Sequence, residues 1–213
     1  MTAQIGDIYK YKEKNYTIVA LSSPMLFEPQ QYGLVPHSSS TACWRGYWCE
    51  YVVADDKLLL EDLYIYNEDG NYPPLCGVEV SPAEFEEHEC YVGGLSKRKK
   101  VLLPAHDGHR VYKKIDLPIP FTGKILLGSG FMSDYYIHMR FHRSWAYKEL
   151  IEFEFCEGQL VTCTDLSHVA KAQREAIKQQ RIDQHHPYDG NIPKYIEDCF
   201  SLDYSIKAWW MDN

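Results

Sequence analysis

The sequence contains no run of about 18 apolar residues, and residues 1–7 have neither the basic start nor the apolar stretch of a signal peptide. We therefore expect neither a membrane-spanning helix nor export by that route. Basic residues are few, since 22 Lys and Arg stand against 30 Asp and Glu and leave a net charge of −8. This charge disfavours nucleic acids and anionic membranes as partners, because they are bound through Lys and Arg. A basic protein partner fits the charge better.

Paired cysteine motifs are missing as well. The seven cysteines are an odd number and include no CxxC pair, so any scheme of disulfides leaves at least one cysteine over. Reduced thiols are the simpler interpretation, and they are typical of a cytosolic protein. We therefore predict a cytoplasmic location.

Catalytic motifs are also lacking, since the sequence has neither a GxSxG elbow nor an HExxH pair. Gly123-Lys124 lacks the first glycine of a phosphate loop, and Gly128-Ser129-Gly130 lacks the third glycine of a dinucleotide fingerprint. We interpret both segments as turns. The sequence thus assigns no catalytic residue, no metal and no cofactor.

Aromatic residues are abundant, with 17 Tyr, 8 Phe and 5 Trp. These residues favour pleated, half-buried surfaces and so indicate sheet. We expect an α+β fold that is mostly antiparallel β. Its body is a sheet or is barrel-like, is built from two similar halves, and carries a C-terminal helix and a docked aromatic tail.

In the first half, alternating apolar residues predict hairpins over residues 8–20 and 47–65. The segment between them, residues 21–41, is rich in Ser, Pro and Gln and predicts a long loop, a type of segment that is often functional. Ser81 to Glu84 match a capping box and predict a short helix over about residues 82–90. The basic run that follows at residues 97–100 is interpreted as a surface connection.

In the second half, the pattern predicts strands over residues 110–117, 124–127 and 135–141 and a hairpin over 150–163. Apolar residues at helical spacing then predict a helix over residues 167–182.

The expected organisation is a mainly β domain over residues 1–166, followed by a helical extension over 167–213 packed on it. The β part is either one unit or two β subunits, at about 1–66 and 110–166, joined by a 67–109 connection with the short helix. The 192–213 stretch is too apolar to remain in water. We expect this tail to dock on the body or on a second copy of the chain.

The two main hairpins resemble each other. Tyr51–Leu59 aligns without gaps on Phe153–Val161, and both segments contain an acidic turn. Duplication of a β unit of about 60 residues is one explanation. A common pattern of hairpins with acidic turns is the other.

Arg45, Tyr136, His138 and Arg140 are the candidate ligand-binding residues. The last three share one face of the strand predicted over residues 135–141, and Arg45 is flanked by aromatic residues. Guanidinium groups and aromatic rings together suit an anionic or planar ligand. The alternative is an ordinary solvated sheet face.

Three weaker hypotheses concern cysteine and histidine. Cys43 lies beside Arg45, which could lower its pKa and make it a nucleophile, although a buried structural cysteine is favoured. His106 and His109, or the pair His185-His186, could hold a metal together with a neighbouring aspartate. Solvated loop histidines are the favoured alternative.

Thr41-Ala-Cys-Trp-Arg-Gly-Tyr47, followed by a hairpin, and Tyr136–Phe141 resemble a loose group of uncharacterised bacterial hypothetical proteins that share a TAxWRGY block. The resemblance implies a bacterial cytosolic setting. It implies no particular activity.

The function favoured by the sequence is a cytosolic binding protein, such as an immunity or accessory factor that occupies a basic protein partner. The alternative is a small-molecule enzyme or ligand sensor that uses Tyr136, His138, Arg140 and Arg45, with the 21–41 loop as a lid. Whether the protein is an enzyme is left open, and the lack of a recognisable catalytic cluster disfavours one. A second alternative is an oligomeric module that assembles through the 192–213 tail.

Overall fold

The computed structural model of the chain describes residues 3–23, 25–91, 98–136, 141–180 and 201–204. The fold is α+β, with mostly antiparallel strands followed by a C-terminal α-helix, which confirms the predicted fold class. Within these ranges, no helix is both long and apolar enough to cross a membrane.

Strands account for most of the regular structure. Their bounds are Ile8–Tyr11 (β1), Lys14–Leu21 (β2), Tyr47–Ala54 (β3), Lys57–Ile65 (β4), Phe85–Tyr91 (β5), Arg98–Pro104 (β6), Arg110–Tyr112 (β7), Leu117–Pro118 (β8), Gly123–Phe131 (β9), Tyr147–Cys156 (β10) and Gln159–Asp165 (β11). The α-helix (α1) covers Ser167–Gln180, and short 3-10 turns lie at Pro29–Tyr32, Ala105–Gly108, Ser133–Tyr135 and Ser144–Ala146.

The main sheet has the strand order β11-β10-β9-β2-β1-β3-β4-β7, and β8 pairs with β4. The neighbours are antiparallel except for β1 and β3, which run parallel. Gln159 of β11 also pairs with Lys57 of β4, so the sheet from β11 to β4 closes into a ring. Because β9 pairs with β2 and β11 with β4, both halves of the chain build the same sheet.

The predicted hairpins at residues 47–65 and 150–163 are confirmed as β3–β4 and β10–β11. Their two-residue turns, Asp55-Asp56 and Glu157-Gly158, have positive φ at both positions, between 49° and 79°. This left-handed backbone matches the twist of tightly connected strands. These turns therefore reverse the chain so that each strand pairs with the strand that follows it.

The two hairpins meet at these turns through nearly symmetric contacts. Leu58 N donates to Gly158 O at 2.8 Å, and Leu160 N donates to Asp56 O at 2.8 Å. Leu58 and Leu160, like Asp56 and Gly158, correspond in the gapless alignment of the two hairpins. The symmetry agrees with a duplication, which stays a hypothesis.

Each face of the sheet supports its own cluster of buried side chains. Ile125 and Leu127 of β9 join a large cluster that also contains Tyr9, Tyr51 and Phe153. On the opposite face, Leu126 joins a smaller cluster with residues of β10 and α1. The alternation follows from the two-residue period of a strand.

The helix predicted over residues 167–182 is confirmed by α1, which packs on the outer face of β10. Ala170 and Ile177 are buried there with Leu150. Arg174 Nη1 donates to Tyr147 O at 2.7 Å, which ties the helix to the start of β10.

The short helix predicted over residues 82–90 is wrong, because Phe85–Tyr91 form strand β5. This strand pairs along its length with β6, and Lys100 Nζ lies 2.8 Å from Glu87 Oε2 across the pair. Glu84, the acidic residue of the expected capping box, instead accepts a hydrogen bond from Lys113 at 2.8 Å. The basic run at residues 97–100 is likewise not a simple connection, because Arg98–Lys100 begin β6.

Two further expectations are corrected. Gly123-Lys124 and Gly128-Ser129-Gly130, both predicted as turns, lie within β9, where the Tyr147 ring packs against the space that a Gly128 side chain would fill. The strand predicted over residues 135–141 is not formed at its start, since Tyr135 ends a 3-10 turn. Residues 137–140 of that strand lie outside the described residues.

Part of the predicted aromatic tail lies on the body. Leu202 is buried in the large cluster, and its carbonyl accepts a hydrogen bond from Leu21 N at 2.7 Å. Asp203 forms a parallel bridge with Leu21. The other residues of the 192–213 stretch lie outside the described residues, and pairing with a second copy stays a prediction.

Candidate functional site

A cavity of about 540 Å³ opens where the large core cluster meets three irregular segments. These segments are the residues before β1, the loop that follows β2, and Ser201–Tyr204, which we call the C-terminal strap. The lining residues are Gln4, Asp7, Leu21, Met25, Leu26, Phe27, Trp44, Arg45, Tyr47, Tyr51, Phe141, Ser201, Leu202 and Asp203. Most of them are aromatic or aliphatic, so the wall is largely apolar.

Asp7, which is buried, and Arg45, which is largely buried, form an ion pair in the wall of the cavity. Arg45 Nη1 donates to Asp7 Oδ2 at 3.1 Å, and Arg45 Nη2 bonds Asp7 Oδ1. Arg45 Nε donates to Tyr47 O at 2.8 Å, and Asp7 Oδ1 also accepts from Cys49 N at 2.7 Å. The two charges therefore satisfy each other and fix the start of β3.

The electrostatics of the pair are those of a closed unit. Burial by itself lowers the pKa of Arg45, but the adjacent Asp7 carboxylate outweighs it and leaves the pKa of the guanidinium raised. Arg45 is therefore charged at neutral pH and is held by two hydrogen bonds to Asp7. The cavity gains no net charge from this pair.

Aromatic rings shape the cavity around the ion pair. The Arg45 guanidinium carbon lies 4.8 Å from the centre of the Tyr47 ring, and Tyr47 Oη donates to Phe27 O at 3.2 Å. Trp44 stands at the mouth with 48% of its surface exposed. A bound molecule would therefore meet aromatic surface both at the entrance and inside.

The C-terminal strap forms one wall of the cavity and is held on both sides. Leu202 is anchored in the core and hydrogen-bonds Leu21, as described above. Tyr204 Oη bonds Glu152, whose Oε1 lies 3.0 Å from Lys124 Nζ. The strap ties the cavity wall to the outer face of β9 and β10.

A second cavity, of about 330 Å³, lies between the loop after β2 and residues Pro118–Thr122. Met25, Leu26 and Phe27 line both cavities, so this short apolar run is a partition between them. The long loop predicted over residues 21–41 is thus a wall of the site as well as a connection.

The predicted ligand-binding residues are only partly brought together. Arg45 lies in the cavity wall, but Tyr136 does not line it. Tyr136 is 42% exposed, and its hydroxyl accepts a hydrogen bond from Ala3 N at 3.2 Å. His138 and Arg140 lie outside the described residues.

Cys43 is not the nucleophile that its neighbour Arg45 suggested. The side chain is 2% exposed, and its thiol donates to Tyr47 O at 3.6 Å. Burial raises the pKa of Cys43 more than Arg45 lowers it, so the thiol stays protonated at neutral pH. Cys43 is a packed structural residue.

The two proposed metal arrangements have different outcomes. Both ring nitrogens of His109 have hydrogen-bond partners, the carbonyl of His106 and the hydroxyl of Ser39, so they do not form a ligand pair with His106. His185 and His186 lie outside the described residues.

An acidic cluster on β3 and β4 carries its own cation. Glu50, Glu61 and Asp62 have carboxylate oxygens within 4.8 Å of one another. Lys10 Nζ lies 2.6 Å from both Glu50 Oε2 and Glu61 Oε2. The ammonium of Lys10 occupies the position from which a metal ion would neutralise the cluster.

Sequence reasoning missed Asp7 and the strap. Asp7 lies 38 residues before Arg45, and no spacing connects an acidic residue at the start of a strand to an arginine in a later loop. The apolar run Met25-Leu26-Phe27 within a polar loop is the signal that could have indicated a buried wall.

No protein-family model matches the chain, and neither do any curated protein or solved structure.

Proposed function

We propose that the protein binds one small, uncharged and largely apolar molecule with an aromatic ring in the cavity beside Arg45. The observation that carries the proposal is an apolar cavity of about 540 Å³ whose buried charges, Asp7 and Arg45, are already paired. This develops the alternative of a ligand sensor and moves its site from the Tyr136 face to the cavity.

Size supports a small-molecule ligand. Cavities of a few hundred to about 1,000 Å³, apolar with a few polar groups, are typical of sites for drug-sized molecules and cofactors. The cavity has this character, because Leu21, Phe27 and Leu202 supply apolar wall while Gln4 and Arg45 supply polar atoms.

Charge supports an uncharged ligand. An ionised group that leaves water needs a counter-charge inside the protein. Asp7 already holds Arg45 through two hydrogen bonds, so this guanidinium offers no unpaired charge to an anion. A neutral molecule loses less hydration on entering this cavity.

The proposal can be tested with two fluorescent probes of similar shape and different charge. N-phenylnaphthylamine is neutral, and anilinonaphthalene sulfonate is its anionic counterpart. We expect the neutral probe to bind one to one with a Kd in the micromolar range, and the anionic probe to bind at least about tenfold more weakly. Stronger binding of the anion would contradict the charge argument.

A cavity-filling variant locates the binding. Ser201→Trp places a large ring in the wall, so it should weaken binding of the neutral probe by at least about tenfold. Ser133→Trp is the matched control, because Ser133 is exposed and does not line the cavity. Equal binding to both variants would mean that the probe binds elsewhere.

A basic protein partner is the second proposal, and the exposed acidic residues of β5 favour it. Glu86, Glu87 and Glu89 are exposed, and within the described part of the chain β5 pairs with β6 alone. A basic extended segment could add beside β5 as a further strand.

We propose the same bacterial cytosolic setting that the resemblance implied, supported by five free thiols in the described part of the chain.

A labelled lysine-rich peptide tests this second proposal by fluorescence anisotropy. Charge reversal at Glu86 and Glu89 should weaken peptide binding more than reversal at the exposed turn residues Glu13 and Asp55, which changes the net charge equally. Equal losses would indicate nonspecific attraction to an acidic protein.

A further inference from the structure

Ser39 and His109 meet on the side of β3 that faces away from the cavity. Tyr47 and Tyr51 of β3 line the cavity. Side chains alternate along a strand, so Trp48 lies on the other face of β3, where its ring contacts the His109 ring at a centroid distance of 4.5 Å. Ser39 Oγ lies 3.2 Å from His109 Nε2, although the two residues are 70 positions apart. This pair belongs to neither cavity.

The hydrogen bonds of His109 fix its tautomer. His109 Nδ1 lies 2.8 Å from the carbonyl oxygen of His106, which can only accept a hydrogen bond. Nδ1 therefore carries the proton in the neutral ring, and Nε2 presents a lone pair. The hydroxyl of Ser39 then donates to Nε2, which is the arrangement of a nucleophile and its general base.

The surroundings keep the ring in its basic form. His109 is 4% exposed, and its ring packs against the ring of Trp48. The centre of the Tyr66 ring lies 6.2 Å from the centre of the His109 ring. Burial lowers the pKa of His109 below its ordinary value, with smaller opposing effects from the His106 carbonyl and Asp107. The imidazole is therefore neutral at pH 7 and able to accept a proton.

A left-handed backbone presents the carbonyl that orients the ring. His106 and Asp107 both have φ of 53°, with ψ of 36° and 31°. This left-handed backbone also occurs in the hairpin turns Lys12-Glu13 and Asp55-Asp56, so it is the tight turn at His106 that brings the carbonyl to the ring. In this conformation the His106 carbonyl accepts hydrogen bonds from both His109 N, at 3.0 Å, and His109 Nδ1.

We propose that Ser39 is a nucleophile and His109 its general base, and that together they accept an acyl group from small activated esters. Ser39 Oγ attacks the ester carbonyl while its proton passes to His109 Nε2. The bond from the carbonyl carbon to the leaving oxygen then breaks, and His109 returns the proton to that oxygen. The products are an alcohol and an acyl ester on Ser39, which water hydrolyses by the same steps.

The test uses a fluorophosphonate probe on the native protein, followed by peptide mass spectrometry. The probe forms a bond from phosphorus to Ser39 Oγ, and the phosphorus–fluorine bond breaks as fluoride leaves with the proton. We expect labelling of Ser39 to be at least about tenfold faster than that of the adjacent Ser38 and Ser40, and to fall to their level in urea. No label on Ser39, or equal labelling of all three serines, would overturn the proposal.

Two variants separate the roles. Ser39→Ala should abolish the label, while Ser38→Ala should leave it unchanged. His109→Gln should slow labelling of Ser39 at least about tenfold while circular dichroism stays unchanged. Labelling of a folded His109→Gln protein at the normal rate would overturn the role of His109. Should this variant unfold, the proposal is decided by the ratio of the Ser39 labelling rates in native and urea-treated wild-type protein.

Discussion

Asp7 is the single residue on which the wall of the cavity most depends. Its carboxylate pairs with Arg45 and accepts a hydrogen bond from the backbone N–H of Cys49, so it connects the N-terminal segment to β3. Asp7→Asn would leave a guanidinium uncompensated in a buried position. We expect a loss of about 3 kcal/mol in the free energy of unfolding, measured by urea denaturation.

The control for Asp7 is an exposed ion pair of the same kind. Lys14 Nζ lies 2.5 Å from Glu149 Oε2, and the two side chains are 44% and 47% exposed. Glu149→Gln should cost less than about 1 kcal/mol. Equal losses for the two variants would show that the Asp7–Arg45 pair is not a buried anchor.

Replacing Tyr9 is expected to raise the free energy of unfolding, whereas replacing Asp7 lowers it. Its side chain is fully buried against Phe153, and its hydroxyl has no hydrogen-bond partner among the described residues. Removing an unsatisfied buried hydroxyl relieves its desolvation cost. We expect Tyr9→Phe to raise the free energy of unfolding by about 1 kcal/mol.

Tyr112→Phe provides the matched comparison, because the Tyr112 hydroxyl donates to Pro73 O at 2.7 Å. This variant should lower the free energy of unfolding by about 1 kcal/mol. Opposite signs for the two tyrosines are the expected result in chemical denaturation. If both variants are destabilised alike, the Tyr9 hydroxyl has a partner after all.

His109 should make stability depend on pH. Its pKa is lowered in the folded protein, so between that value and about 6.5 the unfolded chain binds more protons. Stability is therefore complete above about pH 6.5 and falls as the pH drops toward the folded-state pKa. The groups facing the ring are Ser39, the His106 carbonyl, Asp107, Trp48 and Tyr66.

Urea unfolding at about pH 7.5 and about pH 5.5 measures this dependence. His109→Gln should reduce the loss of stability on acidification. An unchanged pH dependence in His109→Gln would mean that other histidines account for it.

At the scale of elements, β9 depends on a glycine that the sequence suggested was part of a turn. A Cβ on Gly128 would lie 2.5 Å from Tyr147 Cγ on the neighbouring β10. Gly128→Ala must push the ring or the strand aside, and we expect a loss of about 2 kcal/mol in the free energy of unfolding. Ser129→Ala, the next residue in β9, should cost below about 1 kcal/mol. A Gly128→Ala protein as stable as Ser129→Ala would contradict the close packing of Tyr147.

The main hairpins were predictable because their information is local. In β3–β4 and β10–β11, the two-residue alternation and an acidic turn lie within about twenty residues of each other. Strand β5 was missed although its partner β6 is just as close in the sequence, because the local residue pattern indicates a different element. The local capping pattern of Ser81 and Glu84 favours a helix until Glu84 binds Lys113 and β6 supplies the hydrogen bonds of a strand.

At the scale of the whole molecule, the cavity arises from contacts between distant parts of the chain. Leu21 hydrogen-bonds the strap across 181 positions, and Arg45 binds Asp7 from a later loop. No periodicity in the sequence encodes such contacts, so Arg45 could be identified as a candidate while its partner could not. Of the tail predicted to dock, Leu202 packs in the core, while most of the 192–213 stretch lies outside the described residues.

The proposed ligand, a neutral aromatic molecule, would lie in the cavity between Trp44, Phe141 and Leu202. A crystal structure of the protein grown with bromonaphthalene can locate such a molecule, because bromine is identified by its anomalous scattering. We expect one bromine peak inside the cavity, in contact with those three side chains. A peak only against exposed residues such as Phe85 or Leu102, or no peak at all, would contradict the claim.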